Sequence, residues 1–408
     1  MEKIIVISEY YPPCNLTAAY RPFSWTKYLK NFGYYPIVFC INSENKSKYG
    51  LVRNENFEVH YMPYRESYFI RKKNIIKNRA IKRIFGLLDY LFENSISYNG
   101  IKEFEMTISK YIVENDIKKM VSTAPGYSIF GLSYLLSKKH KIKWIADYRD
   151  DWTTTELNSG FFFKFKNRFD IFLEKKYLSN CMCFSTVSKY YIRKISNLIK
   201  KEGYLVENGF EPKKNNEYPK FNNKLSILYP GLLYKTQKIK LIGDALDILP
   251  KTILNKIEFT FLGTEERHVD LPENLKKYVG KNVFFTKRVE RSEADQFLNN
   301  ADLILFLTHQ LDKPLKGIPS SKLYDFIRIK KTVLVCPSDA DIVEEKLTET
   351  GQGLFCNTAN ELASNIKKML KLKEDYGSIP LVDIPENLYY SNSREFQTER
   401  LANILDAL

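Results

Sequence analysis

Two groups of charged side chains stand where a turn after a strand would hold them against a ligand. The first is Asp147-Tyr-Arg-Asp-Asp-Trp152, directly after the expected strand Lys143–Ala146. Three carboxylates, a guanidinium and an indole just beyond a buried strand are costly unless they are solvated or used. Arg149 can neutralise Asp147 or Asp150, and a carboxylate held this way suits hydrogen bonding to sugar hydroxyls or proton transfer. A purely structural network that holds the loop is the alternative. The second group is Gly317-Ile-Pro-Ser-Ser-Lys-Leu-Tyr-Asp-Phe326, which leads into a helix. Ser320 or Ser321 can cap that helix, its free N–H groups and dipole favour a phosphate, and Lys322 adds a formal charge in the first turn. Without an anion a lysine there opposes the dipole. Asp325 lies one turn after Ser321 and could accept hydrogen bonds from ribose hydroxyls; a capped helix with a solvent-facing lysine is the alternative.

Two other turns carry weaker signals. The stretch Glu9–Arg21 opens onto a helix over Phe23–Asn31 that Gly33 ends. Thr17, Ala18 and Ala19 supply small residues there without the glycines of a dinucleotide fingerprint. Arg21 is a fixed positive charge able to grip a phosphate or a carboxylate, or else a surface arginine that caps the turn. In Tyr229-Pro-Gly-Leu-Leu-Tyr-Lys235, Gly231 allows close backbone approach and Lys235 can reach a ligand. The four histidines have no metal-ligand spacing. The six cysteines include one close pair, Cys181 and Cys183, whose C-x-C spacing is neither redox nor zinc-like, so they read as reduced core residues of a cytoplasmic protein.

The elements that position these groups alternate from end to end. Short β-rich runs and amphipathic helical stretches follow one another, the signature of βαβ units and a parallel sheet. Strands are expected at 3–8, 36–40, 57–62, 118–122, 143–147, 182–187 and 204–206, then at 225–229, 257–262, 282–286, 302–307, 332–336 and 353–356. The polar stretch Asn208–Lys224 between the series reads as a linker. The expected fold is α/β: two doubly wound, Rossmann-like domains facing each other across a cleft, with ligands at the carboxyl ends of the strands. The first covers 1–207, with a C-terminal segment 388–408 packed back on it; the second covers 225–387.

Charge divides along the same line. The chain has 408 residues and a net charge of +15, and residues 1–200 hold 33 basic and 18 acidic side chains while the rest holds 30 of each. A field of that sign concentrates anionic partners. Eight basic residues lie between Arg65 and Arg83, interleaved with Ile76, Ala80, Ile84, Leu87, Leu88 and Leu91 at helical spacing. A helix with an apolar stripe beside a basic face suits an anionic membrane surface; a helix that buries the stripe on its own sheet is the alternative. Tyr68, Phe69 and the Phe161–Phe165 cluster favour the membrane. Nucleic acid is excluded as the partner by the lack of a binding module and the neutral second half. No apolar run approaches the ~20 residues of a spanning helix, and no export signal is visible.

The ordered motifs PP-x-x-L-T-A-x-x-R-P, D-Y-R-D-x-W, E-N-G-F, G-L-L-Y-K, F-L-G and G-I-P-S-S-K-L-Y-D-F span residues 5–330. In this order they resemble bacterial GT-B glycosyltransferases of glycosyltransferase family four, above all the branch that builds capsule, O-antigen or other surface polysaccharide. The resemblance implies retaining transfer from a nucleoside-diphosphate sugar, UDP before GDP, with no cofactor and no required metal. The acceptor would be lipid-linked or a glycan, at the inner face of the cell membrane, where the protein would be peripheral. Gly231 and Lys235 would form the donor diphosphate loop, and Asn208 with Gly209 the interdomain N-G. Ser320, Ser321 and Lys322 would meet the diphosphate, and Asp325 the donor ribose. Asp147, Arg149 and Asp150 would be catalytic, with Arg21, Thr17 and Trp152 on the acceptor side. Three departures stand out. Leu232 replaces an arginine after the loop glycine, which shifts phosphate neutralisation to Lys235, Lys322 or Arg288. Asp325 replaces a glutamate, and Ala124-Pro125-Gly126 stands where many relatives place a histidine. Leu232 and the missing histidine motivate a second reading, a catalytically inactive scaffold in a membrane-associated polysaccharide assembly complex.

Overall fold

The computed structural model describes residues 1–41, 48–63, 67–92, 98–154, 161–212, 223–237, 239–266, 269–311 and 316–408. Fourteen strands fall within them. They are β1 (Glu2–Ser8), β2 (Tyr34–Ile41), β3 (Gly50–Arg53), β4 (Glu58–Met62), β5 (Lys119–Ala124), β6 (Lys143–Tyr148), β7 (Cys183–Thr186), β8 (Gly203–Leu205), β9 (Leu225–Pro230), β10 (Ile257–Leu262), β11 (Val283–Thr286), β12 (Leu303–Leu307), β13 (Val333–Cys336) and β14 (Gly353–Phe355). Only β3 is absent from the strands expected above. It is a short edge strand, antiparallel to β4, with no apolar run of its own.

The chain divides into two units, Met1–Asn208 with Arg394–Leu408, and Gly209–Ser393. In the first, the strand order is β3-β4-β2-β1-β5-β6-β7-β8; in the second it is β11-β10-β9-β12-β13-β14, parallel throughout. Both are doubly wound sheets whose order reverses beside the first strand, between β1 and β5 and between β9 and β12. Ligands of such sheets sit at these reversals, beyond the strands' carboxyl ends.

Burial on both faces explains the strand sequences, because a parallel sheet covered by helices needs near-continuous apolar runs. In β1, Ile5 and Ile7 face one core while Ile4 and Val6 face another, and all four are fully buried. The second core of this unit also takes Trp25, Leu29, Leu401, Ala402 and Leu405, so the helix Arg394–Asp406 completes the first sheet's cover. In the second unit Leu225, Ile227 and Tyr229 of β9 join one core and Leu228 the opposite one.

Three expectations change. The segment placed on the first domain from 388 onward joins it only from Arg394, because Tyr389 packs on Phe210 at 4.6 Å and donates to the Arg328 carbonyl. The first helix begins at Tyr20, so Arg21 lies in its first turn; it ends at Tyr28 and a 3-10 turn carries the chain to Gly33. The basic segment forms two helices, Tyr68–Ile75 and Arg79–Phe92. Arg65, most of the linker at 213–222 and the Phe161–Phe163 side chains lie outside the described residues.

Candidate active site

In the first unit the expected catalytic carboxylate is consumed by its own structure. Asp147, at the end of β6, is fully buried, and each oxygen accepts two hydrogen bonds. Arg21 grips it with Nε at 2.7 Å and Nη2 at 2.6 Å, while Thr123 and Ser185 donate from the flanking strands at 2.7 and 2.6 Å. Arg21 spends further donors on the carbonyls of Glu207 and Val206. With its lone pairs filled, Asp147 has none left for a sugar hydroxyl, and Arg21 is not the phosphate ligand expected of it. The pair is a pillar joining the turn after β1 to β5, β6, β7 and the chain after β8.

Arg149 points elsewhere than Asp147. Its Nη2 donates to Thr17 at 2.9 Å, and Asp150 lies 3.9 Å away and exposed. Burial pulls the Arg149 guanidinium below its ordinary value, with Asp150 opposing that shift. Thr17, Arg149 and Asp150 therefore share one rim of the first sheet. Trp152 stacks on Tyr127 at 4.8 Å with planes 3° apart. Residues the sequence reading missed lie beneath this rim. Glu174 is fully buried and accepts from Tyr148 and Thr153, and burial pushes its carboxyl up to about 7. Glu9 packs against Gly126, whose φ is +101°; a Cβ at Gly126 would stand 2.1 Å from Glu9 Oε2.

In the second unit two of the residues expected at the donor, Gly231 and Lys322, meet. Gly231, just past β9, has φ +103°, and a Cβ there would meet Lys322 Nζ at 2.7 Å, so glycine is required twice over. The turn it opens is pinned. Gln237 accepts from the Tyr229 hydroxyl at 2.8 Å and from Tyr234 N–H at 3.0 Å, and donates to the Leu307 carbonyl at 2.6 Å. Thr264 bonds both Leu233 N–H and the Gly231 carbonyl. Lys322 lies over the Tyr229 ring at 4.9 Å, and among the described residues no carboxylate pairs with it. Burial alone draws its pKa down to about 8. Ser320 occupies the N-cap of the Ser321–Ile329 helix, but its hydroxyl makes no capping bond, which leaves that helix start open.

Other expected donor residues are not brought to this point. Asp325 is tied to Arg291 at 2.5 Å and lies 3.8 Å from Arg328, so its carboxylate is committed to neighbours. Lys235 is exposed, as is Arg288, which follows β11 two strands away from β9. Asn208 is the last residue of the first unit. His309 was missed: it follows β12 and sits beside the donor turn, its Nδ1 2.6 Å from the Thr236 hydroxyl and its ring 5.4 Å from Tyr234. Its position two residues past an expected strand was the available signal.

Residues 210–379 match the family of glycosyl transferases group 1. The chain is 23% identical to an uncharacterized glycosyltransferase of Methanocaldococcus jannaschii, over 98% of this chain and 99% of that one. Among solved structures it is similar to sucrose-phosphate synthase from Thermosynechococcus elongatus, with a TM-score of 0.63 at 12% identity, covering 100% and 99% of the two chains. It is also similar to Anabaena HepE in complex with UDP and glucose, with a TM-score of 0.61 at 11% identity, covering 100% of each. The class that the matched segment, the full-length relative and the fold support is a GT-B glycosyltransferase. Its second unit carries the glycosyl transferases group 1 match, and the Gly231–Lys322 contact lies inside it.

Proposed function

We propose that the protein is a retaining glycosyltransferase that moves a sugar from a nucleoside-diphosphate sugar, UDP before GDP, to a lipid-linked or polysaccharide acceptor in surface glycan synthesis. The observation that carries the donor half is Lys322: a desolvated ammonium with no carboxylate partner among the described residues, beside a glycine that lets a ligand come close, at the sheet's reversal. Burying an uncompensated charge is unfavourable, and a diphosphate supplies the missing anion. As the glycosidic bond to phosphate breaks, negative charge grows on the leaving diphosphate; Lys322 and the uncapped N–H groups of the Ser321–Ile329 helix are aimed to stabilise it. The likeness to a UDP complex of HepE supports uridine. Arg149, Thr17 and Asp150 are the groups left to meet the acceptor. Metal independence belongs to the proposal, so chelation with EDTA leaves turnover unchanged.

Purified protein is expected to release UDP from at least one UDP-sugar, and Lys322→Met to weaken UDP binding more than tenfold by calorimetry. Binding of neither UDP nor GDP by the parent chain sinks the donor reading and favours the scaffold.

The acceptor's setting is argued from the helix Arg79–Phe92. None of its described residues is buried, and Ile81 and Ile84 are 44% and 55% exposed, beside exposed Arg79, Lys82 and Arg83. The preceding helix adds exposed Arg71, Lys72 and Ile75, and Phe69 meets Phe85 at 6.3 Å to hold the two helices together. No helix among the described residues is long and apolar enough to cross a membrane. Exposed Ile81 and Ile84 flanked by cations, left uncovered by the described residues, fit the surface of an anionic bilayer. The protein is expected to co-sediment with phosphatidylserine vesicles at low salt, and Ile81→Asp with Ile84→Asp to abolish that; equal binding to neutral vesicles would count against it.

A further inference from the structure

A nucleoside diphosphate brings two to three negative charges, and at this site Lys322 answers one of them. Leu232 follows the turn glycine and is 53% exposed, and Lys235 and Arg288 are exposed as well, so among the described residues no second permanent cation is held against Gly231. Among those residues one other group able to carry a positive charge stands at the same reversal. His309 follows β12, the strand next to β9, and its ring is fixed on two sides: Thr236 Oγ1 holds Nδ1 at 2.6 Å, and Tyr234 lies against the ring at 5.4 Å. Gln310 N–H donates to the Thr236 carbonyl at 2.7 Å, which ties the segment after β12 to the turn after β9. The ring is thus anchored through one nitrogen, and among the described residues the other has no hydrogen-bond partner.

Resting on the donor reading above, we propose that His309 is the second cation of the site, taking up a proton when the nucleoside diphosphate binds and donating from Nε2 to its phosphate while Thr236 holds Nδ1. The proton comes from solvent and returns there when the nucleotide leaves. In the free protein, partial burial and then the neighbouring Lys322 charge hold the imidazole below its ordinary value, which favours its neutral form. The titratable groups facing it are Lys322, from the Ser321–Ile329 helix, and Tyr234; no carboxylate among the described residues acts on it. A dianionic phosphate beside Lys322 reverses the sign of that field and favours the imidazolium. Nucleotide and proton then bind cooperatively, and by reciprocity the nucleotide binds more tightly as pH falls.

Calorimetry of the full chain with UDP and with GDP between pH 6 and 8, in buffers of differing ionisation enthalpy, tests this. For the parent chain, affinity is expected to fall about fivefold or more across that range, with net proton uptake at neutral pH. His309→Gln should bind less tightly at pH 6 and lose most of the slope and the uptake, while His309→Arg should restore tight binding with little pH dependence. The titrations of the nucleotide's own phosphate and of Lys322, which releases its proton near pH 8, are common to all three and cancel in the comparison. If the parent and His309→Gln share one slope and one affinity, the inference is overturned although the donor reading stands. If the parent binds neither nucleotide at any pH, both fall.

Discussion

The two sheets are built alike yet treat charge at their carboxyl ends in opposite ways. In the first unit, Arg21 and Asp147 close on each other in a fully buried pair, and Thr123, Ser185 and two carbonyls saturate them. In the second, Lys322 stands over Tyr229 with no carboxylate in reach among the described residues, while nearby Asp325 is spent on Arg291 and Arg328. The lesson is that a charged residue after a strand signals ligand binding only when the fold leaves its charge unanswered. A saturated ion pair stabilises the scaffold; an unanswered ammonium weakens the free protein until an anion arrives.

Three substitutions sharpen that contrast. Asp147→Asn strands the buried Arg21 cation and should cost about 3–5 kcal/mol of unfolding free energy in urea titration, with nucleotide affinity unchanged in the fraction that folds. Arg21→Lys keeps the charge but loses the two-pronged grip, and should cost about 1–3 kcal/mol. If either variant instead lost nucleotide affinity without losing stability, the pillar would be a binding site after all. The third effect is smaller and of opposite sign. Lys322 releases its proton near pH 8 in the folded chain and near 10.5 when unfolded, so stability of the parent should rise as pH climbs between those values. Lys322→Met removes that rise and should lift the melting temperature of the free protein at pH 7 by about 2–4 °C, while reducing the further stabilisation by a given concentration of UDP. An unchanged or lower melting temperature would mean that Lys322 is already compensated.

Much of this was legible in the residues. The apolar runs and their turns placed thirteen of the fourteen strands, because a parallel sheet covered on both faces writes itself into local composition. Gly231 and Lys322 could be nominated, since a glycine after a strand and a lysine in a first helical turn each carry a local cost that a ligand relieves. His309 was passed over because a lone histidine has no spacing to flag it. The stacking of Trp152 on Tyr127 has no signature in the sequence because it joins two separate βα turns.

Pairing was the part that sequence did not contain. Arg149, two residues from Asp147, was the natural local partner, yet the pair forms with Arg21, 126 positions away. Likewise Asp325, three residues from Lys322, turns to Arg291. Periodicity and turn chemistry are local and are determined by neighbours along the chain. Which charges meet depends on strand order and on which carboxyl ends lie side by side, and that order is chosen by the packing of the whole sheet. The chain by itself therefore determined its elements and its candidate charges; the tertiary structure decided which charges neutralise one another and which remain for a ligand.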